Sequence, residues 1–237
     1  LVALAATTMA DSLKAATQLT GKGYESTADL SAALGAPVLA LSTLSLLPPL
    51  DRSSRIFCVG KNYRDHAAEM AHMTGPAPAA PSAPDIFLRL ASSFASGTGS
   101  VYYPKGEDSY DYEGELAYVV GSPAEALQAN EAASCLAGIA PALDGSLRRL
   151  QKRTSQFTLG KNIDESGAFG PAIAITGNNT EPRRLSTHIN GEQRQADMSD
   201  NVTFSIEHVL ATISHLTRLE PGDIILSGTP AGVGAGF

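Results

Sequence analysis

From residue 56 onward, short apolar runs alternate with breaks rich in Gly, Pro, Asn and Asp. Apolar and β-branched runs bounded by turn formers read as strands. They predict strands at 56–60 (IFCVG) and near 86–90, 113–120, 134–143, 171–176, 185–190 and 223–227. Asn190-Gly191, inside HINGEQ, is the pair that a two-residue hairpin turn favours. Helical periodicity is rarer. AEALQANEAA (124–133), SLRRLQKR (146–153) and SIEHVLATISHL (205–216) are the predicted helices, and the last aligns Ile206, Val209, Leu210, Ile213 and Leu216 on one face. There is no βα alternation, no nucleotide-binding glycine turn after a strand and no internal repeat. The pattern predicts an α+β fold that is mostly β.

Residues 1–50 differ: they are Ala/Leu/Thr-rich and weakly helical, with Ser26 or Thr27 placed to cap a short helix in TADLSAALGA. The prolines of LLPPLDRSS then stop regular structure. This predicts a small N-terminal domain over 1–50 and a main domain over 51–237. LVALAATTMA has no basic n-region, and no segment approaches the roughly 18 apolar residues of a membrane span; neither a signal peptide nor a span is expected. A start at Leu1 and an end at GVGAGF, without a polar tail, suggest an incomplete C-terminal end.

Composition narrows the function classes. Of 237 residues, 43 % are hydrophobic and 17 % charged, which is the globular range. A formal net charge of −7 argues against general nucleic-acid binding, which needs a basic face. Cys58 and Cys135, with no Cys-x-x-Cys spacing, argue against a disulfide framework or structural zinc and point to a reducing, cytoplasmic compartment.

One stretch conflicts with its own pattern. DYEGELAYVVG (111–121) ends as a half-buried strand but begins with Asp111, Glu113 and Glu115 at alternate positions. In a strand these share a face with Ala117 and Val119. Glu113 and Glu115 would sit roughly 7 Å apart by Cα spacing, close enough to converge on one point. Like charges on a partly dry face require a proton or a cation between them. Asp144, after the apolar run GIAPAL, is a third acid. Carboxylate-only ligation suits a hard ion, Mg²⁺ or Mn²⁺ before Ca²⁺, with positions left open for substrate. The competing arrangement puts Glu113 and Glu115 on the solvent face of an edge strand, with Asp144 capping the 146–153 helix.

Other candidates stand nearby. His66 and Glu69 in NYRDHAAEM share a helical face at i, i+3, where a carboxylate fixes the imidazole tautomer and raises its basicity, unless the pair is merely a surface one. Lys161, in the Gly-flanked TLGKNID, is either functional or a solvated loop lysine. SGTPAGVG (227–234) places Thr229 in a glycine-rich turn whose backbone donors could hold a carboxylate, or which simply ends a strand. His72, His188, His208 and His215 read as structural or surface residues. GPAPAAPSAP (75–84), with four prolines, is an extended or mobile loop.

Taken in order, FCVGKNYRDHAAEM, DYEGELAYVVG, LDGSLRRLQ, FTLGKNID and LEPGDIILSGTPAGVG closely resemble the fumarylacetoacetate hydrolase superfamily, from about residue 47 to the end. The resemblance implies a mixed β-roll domain with a small N-terminal cap, usually homodimeric, and a divalent metal held by Glu113, Glu115 and Asp144 with no organic cofactor. It implies that His66 and Glu69 activate water and that Lys161 polarises substrate or stabilises negative charge. Arg148 and Gln151 would line the pocket, Thr229 would belong to the turn that holds the substrate carboxylate, and residues 64–80 would form a lid. One departure concerns Arg149, which stands where many relatives carry an acid. The implied chemistry is enolate chemistry on a 2-oxo acid. The leading expectation is hydrolysis of a C–C bond in acylpyruvates; the alternative is a decarboxylase, isomerase or hydratase of a related dicarboxylic acid such as oxaloacetate. A non-catalytic metal- or oxo-acid-binding homologue is a third reading.

Overall fold

The structure is a computed structural model that describes residues 27–35, 37–74 and 81–236. Of the expected N-terminal domain, residues 1–26 lie outside the described residues. What is described there is α1 (Thr27–Leu34) and a single 3-10 turn at Leu41–Thr43. Leu50 then packs against the main sheet, and Pro49 fills the space beside Gly170, which has no Cβ and a φ of +90°.

The main sheet contains β1 (Ile56–Gly60), β2 (Asp85–Arg89), β3 (Phe94–Ser96), β5 (Gly114–Val120), β6 (Leu136–Leu143), β8 (Gly167–Phe169), β9 (Ala174–Ile175) and β12 (Ile224–Leu226). Its order is β2-β1-β12-β5-β6-β8-β3, with β9 also on β6. β1–β12 and β3–β8 are parallel; the other pairs are antiparallel. The two ends of this order, β2 and β3, are joined by only residues 90–93, a 3-10 turn. So short a link forces the sheet to curl until its edges approach each other. β4 (Tyr110–Asp111) pairs with β7 (Ser146–Leu147), and β10 (Arg184–Ile189) with β11 (Glu192–Met198).

Curling divides the core in two. On the outer face Leu116, Tyr118 and Val120 pack with Phe57, Val59 and Ile225 under α6 (Ile206–Leu216). Inside, Ala117 and Val119 meet Cys58, Ile224, Leu226, Phe94 and Phe169. β5 is therefore buried along its whole length, not half-buried as its alternation predicts, because β12 and β6 flank it and both faces are covered. The small inward residues are explained by this enclosure.

Local signals set the element ends. α6 starts at Ser205, whose Oγ accepts from the His208 N–H at 3.3 Å. It buries Ile206, Val209, Leu210 and Ile213, but Leu216 is 80 % exposed because the chain turns extended at Thr217. Asn190 (φ +53°) and Gly191 (φ +85°) form the expected hairpin turn between β10 and β11. The predicted 124–133 helix shrinks to α3 (Ala129–Ala132). Ala124 instead exchanges backbone hydrogen bonds with Leu219, and Ala126 donates to Ser214. Likewise Ser146 and Leu147 are taken into β7, which leaves only α4 (Arg148–Gln151) of the 146–153 helix. The 171–176 strand is reduced to β9. Cys58 and Cys135 are both free and buried.

Candidate active site

β5 continues its inward face past Ala117 to Glu115 and then to Glu113, just before the strand begins. β6 and the following turn bring Asp144 to the same place, its N–H donating to the Glu113 carbonyl at 2.8 Å. All three carboxyl groups are buried, and their oxygens lie within 4.8 Å of one another. This excludes the edge-strand arrangement. Nor does Asp144 cap the helix, since α4 follows Leu147.

Three cations meet these acids. Lys161, on α5 (Thr158–Lys161), is no solvated loop lysine: it is 1 % exposed, with Nζ 2.6 Å from both Glu113 Oε2 and Asp144 Oδ2. Arg148 Nη2 reaches Glu113 Oε1 at 2.6 Å, and its Nη1 donates to Gln151 Oε1 at 3.0 Å. Arg89, from the end of β2, binds Asp144 Oδ1 at 2.5 Å. Its remaining donors go to Ser93, Gly145 and Ser166, and it lies over the Phe94 ring at 4.4 Å.

The electrostatics follow from this wiring. Burial opposes ionisation of Glu113, but Lys161, Arg148 and His66 outweigh it and hold its pKa down to about 2. Glu115 has no such cation; its carboxylate accepts from the Gly228 N–H at 2.8 Å. Burial, with Asp144 and Glu113 adding like charge, pushes its pKa well up. Burial likewise opposes the charge on Lys161, but Asp144 and Glu113 overcome it and raise its pKa. With Asp111 included, four carboxyl groups thus face three permanent cations, and Glu115, the one held toward its protonated form, is left without a cationic contact. A divalent cation on the trio would remove that imbalance and leave the site net positive, as an anionic substrate requires. Three buried hard oxygen donors at this spacing fit such an ion.

α2 (Arg64–Thr74) carries the dyad on its first turns. His66 Nδ1 lies 3.1 Å from Glu69 Oε2, and the ring is buried against the cleft rather than on the surface. With Nδ1 engaged, Nε2 is the nitrogen left to work. Glu69 is itself fixed by the Gly232 N–H at 3.1 and 3.3 Å. Residues 75–80 of the expected lid lie outside the described residues.

Thr229 borders the cleft, but its hydroxyl is committed. It donates to the Gly114 carbonyl and accepts from Gln195 Nε2, at 2.8 and 2.7 Å. Gln195, on β11, is buried and also accepts from the Gly114 N–H at 3.0 Å. A Cβ at Gly114 would collide with Thr187 Oγ1, so glycine is required between the two glutamates. The cleft, about 400 Å³ with its mouth, is lined by these residues and by Lys61, Met70, Phe87 and Phe157.

Every residue singled out from the sequence for the site falls in this cleft or, for Glu69, directly behind it. Arg89 and Gln195 were missed. Arg89 ends an amphipathic strand with no motif around it, and nothing in EQRQADM separates Gln195 from the exposed polar residues beside it. Arg149, the departure noted from the family resemblance, points outward at 53 % side-chain exposure and pairs with Glu107 at 2.7 Å, so its charge does not face the trio. His188, His208 and His215 are exposed and do not line this cleft; the side chain of His72 lies outside the described residues.

Comparison with known proteins agrees with this geometry. Residues 55–236 match the family described as fumarylacetoacetate (FAA) hydrolase C-terminal. Oxaloacetate tautomerase YisK of Bacillus subtilis is 38 % identical over 209 residues, covering 86 % of this chain and 68 % of that protein. Mitochondrial oxaloacetate tautomerase FAHD2A of Homo sapiens is 34 % identical over 218 residues, covering 90 % and 68 %. Among solved structures, a fumarylacetoacetate hydrolase from Exiguobacterium antarcticum superimposes with a TM-score of 0.76 at 29 % identity, over 97 % of this chain and 78 % of that one. A 5-carboxymethyl-2-hydroxymuconate delta-isomerase from Mycobacterium smegmatis gives 0.72 at 31 %, over 83 % and 73 %.

Proposed function

Because the chain belongs to the fumarylacetoacetate hydrolase family and is an enzyme of it, we propose that it interconverts the keto and enol forms of oxaloacetate or a closely related 2-oxo dicarboxylic acid. The observation that carries this reading is the buried acid trio, one cation short of balance, facing His66 across one cleft. The relatives named oxaloacetate tautomerase favour it over hydrolysis, the first expectation from the sequence.

Glu113, Glu115 and Asp144 would hold the divalent ion, Mg²⁺ or Mn²⁺, which supplies Lewis acidity to the 2-oxo and carboxylate oxygens when bound. Neutral His66 takes a proton from C3 through Nε2, and Glu69 stabilises the imidazolium that forms. The electron pair of the broken C–H bond forms the C2–C3 double bond while the carbonyl π pair moves onto the 2-oxo oxygen, where Lys161 Nζ donates to the developing charge. Return of the proton to that oxygen gives the enol, and the reverse sequence gives the keto acid. Arg148 and Gln151 bind the distal carboxylate. The turn at Thr229 holds the proximal one through its backbone donors, since the Thr229 hydroxyl is already committed.

The decisive assay follows loss of the enol absorbance of oxaloacetate with Mg²⁺ or Mn²⁺, alongside pyruvate release from acetylpyruvate and CO₂ release from oxaloacetate. Metal-dependent acceleration of the enol–keto step is expected. Rapid cleavage of acetylpyruvate without that acceleration would return the hydrolytic reading, which uses the same dyad to activate water. Homodimerisation is carried over from the family resemblance and is checked by light scattering. No helix among the described residues is long and apolar enough to cross a membrane.

A further inference from the structure

Asp111 points to the inner side like Glu113 and Glu115 but does not belong to their trio. Its carboxylate is nonetheless buried and fully engaged. Oδ2 accepts from Arg148 Nε at 2.8 Å and lies 2.8 Å from Arg148 Nη2. Oδ1 accepts from the Gly234 N–H at 2.6 Å, and Oδ2 also accepts from the Ala235 N–H at 3.1 Å. The carboxylate therefore holds one edge of the Arg148 guanidinium and is itself fixed by the backbone of the glycine-rich turn. A Cβ on Gly234 would press against Asp111 Oδ1, so glycine at that position is what lets the carboxylate sit against the turn.

Arg148 needs such a holder. Glu113 pulls on Nη2 and Gln151 on Nη1, so without a third contact the plane of the guanidinium could rotate toward Glu113. With Nε and Nη2 taken by Asp111 and Glu113 and one Nη1 hydrogen by Gln151, the second Nη1 hydrogen is the donor left for a substrate carboxylate, and it is aimed only if the guanidinium plane is fixed beforehand. We propose that Asp111 is the positioning residue for Arg148: it sets the orientation in which the guanidinium meets the substrate carboxylate, and it contributes nothing to metal binding. The inference rests on the proposed reading of Arg148 as a substrate-binding group.

A double-mutant cycle on the full chain tests it, with Mn²⁺ affinity and binding of malate, a four-carbon diacid that carries the distal carboxylate, to the Mn²⁺-loaded protein measured by calorimetry, so that no turnover is needed. Asp111→Asn should weaken malate binding by about tenfold, as expected for loss of one charge-assisted contact, while Mn²⁺ affinity changes by less than about threefold. Arg148→Met should lose a similar factor, and adding Asp111→Asn to it should cost no more than about twofold further, because both changes remove one unit. If Asp111→Asn does not fold, Asp111→Glu keeps the charge and displaces the guanidinium; the same loss of malate binding with Mn²⁺ retained is expected. The inference is overturned if malate affinity is unchanged in the variant that folds, if the two losses multiply, or if Mn²⁺ affinity falls in parallel. Absence of oxaloacetate turnover in the unmodified protein would count against the proposed function and leave this binding result standing.

Discussion

Gln195 Nε2 donates to Thr229 Oγ1 at 2.7 Å, although the two residues come from an outlying hairpin and a sheet-end turn. The same side chain takes the N–H of Gly114, the residue between two proposed metal ligands. One amide thus fixes the backbone of both site segments. Gln195→Met keeps the volume but strands the Gly114 N–H and the Pro230 carbonyl, which also accepts from Gln195 Nε2 at 2.8 Å. A stability loss of about 2–4 kcal/mol is expected from two buried groups left unpaired. Denaturant unfolding measures it, and metal affinity should fall as well. Wild-type stability in this variant would show that the hairpin does not brace the site.

Glu115 gives a pH dependence of definite sign. Its folded pKa lies well above the ordinary 4.5, so folding disfavours its charged form. The metal-free protein should therefore lose stability as pH rises above 4.5, until the folded pKa is passed. Glu113 acts oppositely: held down to about 2, it contributes stability that is present above 4.5 and lost as pH falls toward 2. Thermal scans of metal-free Glu115→Gln should show higher stability than the unmodified protein at neutral pH and a flatter profile above 4.5. Mg²⁺ or Mn²⁺ should stabilise the unmodified protein more than this variant.

Removing Lys161 breaks a buried network instead of relieving one. Lys161→Met leaves Glu113 and Asp144 facing each other with less compensation, and about 3–5 kcal/mol of metal-free stability should be lost. Saturating Mn²⁺ should restore part of it, because the added cation meets the same acids. Turnover should stay depressed at saturating metal. Recovery of full activity there would mean that Lys161 serves the fold alone.

Arg149→Ala is the contrasting case. Arg149 is half-exposed, and it and its buried partner Glu107 both lie outside the residues that line the cleft. kcat/KM should change by less than about twofold. A larger effect in steady-state kinetics would mean that the charge at this position reaches the cleft.

Much of the site was legible because its residues violate their local pattern. Glu113 and Glu115 break the apolar face of β5, and His66–Glu69 places an ionisable pair on a helix that follows a buried strand. The arrangement of long elements was legible for the complementary reason: α6 and the β10–β11 turn carry their own caps and turn residues. What escaped depends on partners distant in sequence. β3, β4, β7 and β8 are too short to show a period, and α3 is curtailed by backbone hydrogen bonds to the 214–219 region. Arg89 and Gln195 look like surface residues until Asp144 and Gly114 are placed beside them.

The parallel pairing of β1 with β12 has a kinetic consequence. Ile56 lies beside Ile224, and the neighbouring Arg55–Asp223 hydrogen bond spans 168 residues. Contacts of that separation carry a large loop-closure entropy and form late. The segment that arrives with β12 also brings Gly228 to Glu115, Gly232 to Glu69 and Gly234 to Asp111. Chemistry therefore waits on the last part of the chain to dock: during refolding, helical and sheet signals would recover before any turnover. An intermediate lacking that segment would expose the carboxylates to water, where they repel far less and bind metal poorly, which keeps the partly folded chain inert.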